Sequence, residues 1–131
     1  MDIRNIDHLV LTVRSIDATA AFYETVLGTK IEEFGEGRVA LRFGDQKINL
    51  HQAGRELEPK AARPTPGSAD LCFIADGTID AVAAHIESCS LEIEEGPVPR
   101  TGALGPIMSV YFRDPDQNLI EVSTYLTEAA R

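Results

Sequence analysis

The segment DPDQNLIEV, residues 114–122, sets an ionisable carboxylate, Glu121, in the middle of an otherwise apolar stretch. A carboxylate buried without a cation or a donor beside it costs several kcal/mol, so a partner of some kind is required. Other side chains stand in comparable surroundings: His8 in DHLVL, Asn49 and His51 in KINLHQ, Asp70 in ADLCF and Arg100 in PRTGALGP. Imidazole and carboxylate are the groups of general acid–base work, and a guanidinium on a loop suits an anionic partner. Taken singly, each has a plain reading. A lone histidine on an apolar strand is most often a hydrogen-bonded core residue, Asp70 a solvated residue at a sheet's lip, and Arg100 a surface charge. The elements that carry them decide whether they act together.

Those elements repeat. IDHLVLTV (6–13) predicts a strand, and DATAAFYETVLG (17–28) a helix capped by Asp17 and stopped by Gly28, with Ala18, Phe22 and Val26 on one face. TKIEEFGE, RVALRFG and KINLHQ predict three short strands. The second half runs in the same order: strand ADLCFIA (69–75), helix TIDAVAAHIESC (78–89), then LEIEEGPV, IMSVYFRD and NLIEVST. PRTGALGP, between two of those strands, reads as a mobile flap at a cavity mouth. The expected organisation is module one at 4–53, a Pro-rich linker at 54–67, and module two at 68–126. Aligning the first strands sets His8 opposite Asp70. Aligning the last sets Glu121 opposite Asn49 or His51, which share one face of their strand. His85 falls off the apolar face of its helix and is expected to meet water; Cys72 shares a face with Asp70 and reads as a small hydrophobe.

A chain of 131 residues with 44% hydrophobic and 25% charged residues is one ordinary globular domain. Its net charge of -9 repels polyanions, which argues against nucleic acid and anionic membrane surfaces as partners. The first residues lack the pattern of a secretory signal, and two cysteines are too few to staple a secreted scaffold, so a cytoplasmic protein with reduced thiols is expected.

The duplicated βαβββ order, together with DHLVLTV, AFYETVLG and FRDPDQNLIEV, resembles the glyoxalase/bleomycin-resistance/dioxygenase group, the vicinal oxygen chelate superfamily, over residues 4–126. KINLHQ, GSADLCF and RTGALGPIMSVYFRDPD resemble a small glyoxalase-like subfamily labelled lactoylglutathione lyase-like. The resemblance implies an α+β fold of tandem βαβββ modules forming a cupped mixed sheet, and a divalent metal held on first and last strands. The matching positions here are His8, Asp70 and Glu121, with His51 near the fourth. The chain departs from the family pattern where Asp70 stands for a histidine, where Asn49 or His51 stands for a glutamate, and where Gln117 replaces glycine in the DPDGN turn, leaving Asn118 to adopt the positive φ.

Mixed imidazole and carboxylate ligands suit Zn, Ni, Co, Mn or Fe(II). Such an ion leaves positions for a chelating small-molecule substrate and stabilises an enediolate or oxyanion. Glu121 is then the expected proton shuttle, with His51 its competitor, and Asn49 and Arg100 are read as substrate contacts. The implied function is lyase or isomerase chemistry on a small oxygenated or thiol-conjugated molecule, in a homodimer. The alternatives are thiol transfer to an antibiotic epoxide and non-catalytic sequestration of a drug or metabolite; ring-cleaving dioxygenation fits less well, since such members usually run longer.

Overall fold

A computed structural model of the protein describes residues 1–126. The elements run β1 (His8–Val13), α1 (Ile16–Leu27), β2 (Lys30–Phe34), β3 (Arg38–Phe43), β4 (Gln46–Gln52), β5 (Asp70–Ile74), α2 (Ile79–Ser88), β6 (Glu95–Gly102), β7 (Gly105–Arg113) and β8 (Leu119–Tyr125). The chain divides into two compact units, residues 1–68 and the residues from Ala69 onward. Each unit holds one helix and one four-stranded mixed sheet, with strand orders β1-β4-β3-β2 and β5-β8-β7-β6. The α+β architecture of two βαβββ modules is the one expected. No helix among the described residues is long and apolar enough to cross a membrane.

In each sheet the first strand pairs in parallel with the last, and the other pairs are antiparallel. Side chains alternate across a strand, so one face of each sheet takes the large apolar residues and the helix, and the other carries the polar set. In the first unit Leu11, Val13, Leu41, Ile48 and Leu50 are buried, as are Ala20, Tyr23 and Val26 of α1, which packs on β2, β3 and β4. In the second, Val110, Phe112, Ile120 and Val122 are buried with Ala83 and Ile86 of α2, which packs on β6, β7 and β8.

Local chemistry differs from the sequence expectation at several places; on α1 the buried face is Ala20, Tyr23 and Val26, with Ala18 exposed. Ser15, not Asp17, caps α1: its hydroxyl accepts from Ala18 N at 3.1 Å, and Asp17 sits in the first turn, where a carboxylate favours the helix dipole. PRTGALGP is no flap. Arg100, Thr101 and Gly102 continue β6, pairing with Ile107, Pro106 and Gly105 of β7 around the two-residue turn Ala103–Leu104. Strand β6 accordingly begins at Glu95 and not at Leu91. Finally, Gln117 itself takes the positive φ of 70° in the DPDQN turn. The Asn118 side chain is engaged elsewhere: Oδ1 accepts from Ala69 N at 2.8 Å and Nδ2 donates to Asp114 Oδ2 at 2.8 Å.

Candidate functional site

In the first unit, β1 is held in register by the glutamines that begin and end β4. Gln46 Nε2 donates to Ile6 O at 2.6 Å, and Gln52 Nε2 donates to Arg14 O at 2.6 Å. The resulting pairing sets His8 beside Lys47, Val10 beside Asn49 and Thr12 beside His51. His8, Asn49 and His51 therefore share the sheet face opposite α1. His8 is exposed, and its Nδ1 lies 2.8 Å from Asp7 Oδ1, which leaves Nε2 for another partner. This bond is the main reason the Asp7 carboxyl sits below the usual carboxylate range. Asn49 and His51 are 5% and 7% exposed, and Asn49 Oδ1 and His51 Nε2 are buried with no hydrogen-bond partner. Orphaned buried polar atoms of this kind call for an occupant.

In the second unit, Asn118 does the corresponding work. It ties the start of β5 to the start of β8, and Leu119 N adds a bond to Ala69 O at 3.1 Å. Asp70 then pairs with Leu119 and Cys72 with Glu121, while Tyr111 of β7 flanks Glu121 on its other side. Glu121 is half-buried, and Ser123 Oγ donates to its Oε2 at 3.3 Å. Asp70, Glu121, Tyr111 and Arg100 share the face opposite α2. A cavity of about 410 Å³ opens on this unit, lined by Asp70, Glu94, Glu95, Arg100, Tyr111 and Arg113 together with Leu119. On its wall Arg113 makes paired bonds to Glu94 at 2.8 and 3.2 Å.

The two registers resolve which residue stands opposite Glu121. His8 lies beside Lys47 and Asp70 beside Leu119, so two residues further along the last strand come Asn49 in one unit and Glu121 in the other. Asn49 is the counterpart of Glu121, and His51 the counterpart of Ser123.

This fold is that of a known group. The family model described as Glyoxalase/Bleomycin resistance protein/Dioxygenase superfamily matches residues 5–122. The chain belongs to that superfamily. Among its glyoxalase-superfamily relatives, the virulence protein STM3117 of Salmonella typhimurium is 60% identical over 126 residues, 96% of this chain and 88% of the relative. The glyoxalase domain-containing protein RDO1 of Mycosarcoma maydis is 54% identical over 125 residues, covering 95% of this chain and 70% of the relative. A solved lactoylglutathione lyase from Agrobacterium tumefaciens superposes with a TM-score of 0.72 at 25% identity, covering 94% of this chain and 95% of that one.

The donors offered by this glyoxalase-superfamily chain fit a divalent cation in kind: imidazole nitrogen from His8 and His51, amide oxygen from Asn49, carboxylate oxygen from Asp70 and Glu121. Among the described residues, no three His, Cys, Asp or Glu side chains of either unit gather closely enough to hold a metal ion. Sequence reasoning missed Tyr111. Its signal was the alternation Ser109, Tyr111, Arg113 against Val110 and Phe112, which marks a polar face that an aromatic residue alone does not.

Proposed function

We propose that this member of the glyoxalase superfamily is a divalent-metal-dependent enzyme of lyase or isomerase type, acting on a small oxygenated or thiol-conjugated molecule. The observation that carries the reading is the matched register: a first-strand ligand type, His8 or Asp70, and a last-strand oxygen donor, Asn49 or Glu121, recur at equivalent positions on the polar faces of both sheets. The proposed ligand residues are His8 with His51 or, as its alternative, Asn49 in the first unit, and Asp70 and Glu121 in the second; superfamily members usually carry a divalent metal, here one of Zn, Ni, Co, Mn or Fe. Bound there, it would polarise adjacent oxygens of a chelating substrate. Glu121 takes and returns the substrate proton, and His51 is the alternative group for that role. Arg100, on the wall of the cavity, meets an anionic group of the substrate. The 25% identity to a lactoylglutathione lyase supports lyase chemistry as the first to assay. We infer a homodimer working in the cytoplasm.

The test is metal analysis of protein purified without chelator, combined with hemithioacetal isomerisation by wild type and Glu121→Gln. The expected result is stoichiometric divalent ion in the wild type, with turnover falling about 10²–10⁴-fold in the variant. A wild-type protein that holds no ion and takes none up on titration, yet binds a drug or metabolite, would be a sequestration protein instead.

A further inference from the structure

The first sheet gathers positive charge on the face opposite α1. Strand alternation and register place Lys30, Glu32 and Phe34 of β2, Arg38 and Arg42 of β3, and Lys47 of β4 on that face, along with Asn49 and His51. The chain as a whole carries a net charge of -9, yet Glu32 is the single carboxylate among these side chains. It is already taken: Arg42 Nη2 donates to Glu32 Oε2 at 3.0 Å and to Oε1 at 3.3 Å. Lys47 and Arg38 meet at a ring instead. Lys47 Nζ lies 3.8 Å, and the Arg38 guanidinium carbon 4.7 Å, from the centroid of Phe34, the register partner of Arg38. An aromatic face attracts a cation without neutralising it. Both side chains are half-buried, and among the described residues no carboxylate forms an ion pair with either. Two like charges held at one ring repel, and an anion shared between them removes that repulsion.

On the same face Asn49 and His51 are more than nine-tenths buried, and Asn49 Oδ1 and His51 Nε2 have no hydrogen-bond partner. An amide oxygen only accepts, so it calls for a hydroxyl or an N–H; a ring nitrogen serves in either role. Lys47 and Asn49 stand two residues apart on one strand, about 6–7 Å, which a compound of a few carbons spans. We propose that this face binds a small hydroxylated oxyanion, its phosphate or carboxylate group held by Lys47 and Arg38 and its hydroxyl by Asn49 and His51. The proposal names the substrate class of the enzyme proposed above, and its use in catalysis rests on that reading; binding itself needs no ion. Lys47 and Arg38 select for negative charge, and Arg42, kept by Glu32, takes no part.

The experiment is nuclear magnetic resonance titration of the isotope-labelled full chain in excess chelator, with glycerol phosphate and with lactate, read at the side chains of Asn49 and His51. Glycerol is the uncharged control. The expected result is a saturable shift of both side chains with at least one anion and none with glycerol; the tighter anion tells phosphate from carboxylate. Lys47→Met and Arg38→Met are each expected to weaken that binding about tenfold, with the backbone spectrum away from the site unchanged. Arg42→Met should stay within about twofold of wild type. No shift from either anion, equal shifts from glycerol, or equal losses in Arg42→Met and Lys47→Met overturns the site. Wild type that binds the anion but takes up no divalent ion keeps this site and loses the metal reading. Ion uptake without anion binding does the reverse.

Discussion

Glu121 shapes the chemistry of its neighbours, and Cys72 is the clearest case. Although the residue as a whole is exposed, its sulfur lies 3.4 Å from Ser123 Oγ on the Glu121 face. Burial is the largest influence on the thiol and pushes it up; the Glu121 and Asp70 carboxylates push the same way, and the Ser123 bond opposes them. A raised value keeps sulfur protonated, so the thiolate appears only above the ordinary thiol range. Alkylation of Cys72 by iodoacetamide at pH 7 should therefore run slower than that of an unstructured cysteine, and its pH profile should shift upward. Glu121→Gln removes one of the repelling charges and is expected to shift the profile back. Peptide mapping of the alkylated protein over pH 7–10 reads both effects, and a fast reaction at pH 7 would contradict the reading.

Among the elements, the turn between β7 and β8 decides where the site residues land. Asp114 Oδ1 accepts from Asp116 N and Asn118 N, each at 2.9 Å, and Asn118 carries the tie to β5. Asn118→Ala removes the bond from Ala69 N and the buried bond to Asp114 Oδ2, and is expected to cost about 1–3 kcal/mol. Gln117 bears a left-handed backbone that costs an L-residue about 1–2 kcal/mol, partly offset by the greater unfolded-state freedom of glycine. Gln117→Gly should thus stabilise by roughly 0.5–1 kcal/mol. Urea denaturation with unchanged slope checks both, and opposite signs are the expected outcome. Gly96 of β6 makes a second point: at φ 112°, a Cβ there would collide with the Ser109 carbonyl oxygen and approach Val110 Cα at 2.9 Å. Gly96→Ala is expected to destabilise by at least about 2 kcal/mol.

For the molecule as a whole, the edge strands carry the information. Strands β1 and β5 each lie at the edge of a sheet, and Val10 and Ile74 on them are 44% and 50% exposed. Exposed apolar side chains such as these, on the polar face of each sheet, invite another chain. The proposed homodimer predicts a dimer in sedimentation velocity, with Val10→Lys plus Ile74→Lys shifting it toward the monomer. A wild-type monomer across the micromolar range would count against the homodimer.

The duplication, the alternation of the strands and the α+β order were legible in the sequence because hydrophobic periodicity and turn residues are local signals. So were His8, Asp70 and Glu121 as polar interruptions of apolar strands. The choice between Asn49 and His51 was not, because a shift of two residues keeps the same face, and only the pairing of β1 with β4 and β5 with β8 discriminates. Tyr111 was hidden for a related reason: an aromatic in a strand reads as core until its cross-strand neighbours are known. Arg100 was assigned to a flap because glycines at 102 and 105 suggest a loop, whereas backbone pairing closes them into the end of a hairpin. Residue type and period set which side chains face together along each strand, and only the hydrogen-bonded register between strands sets which of them meet.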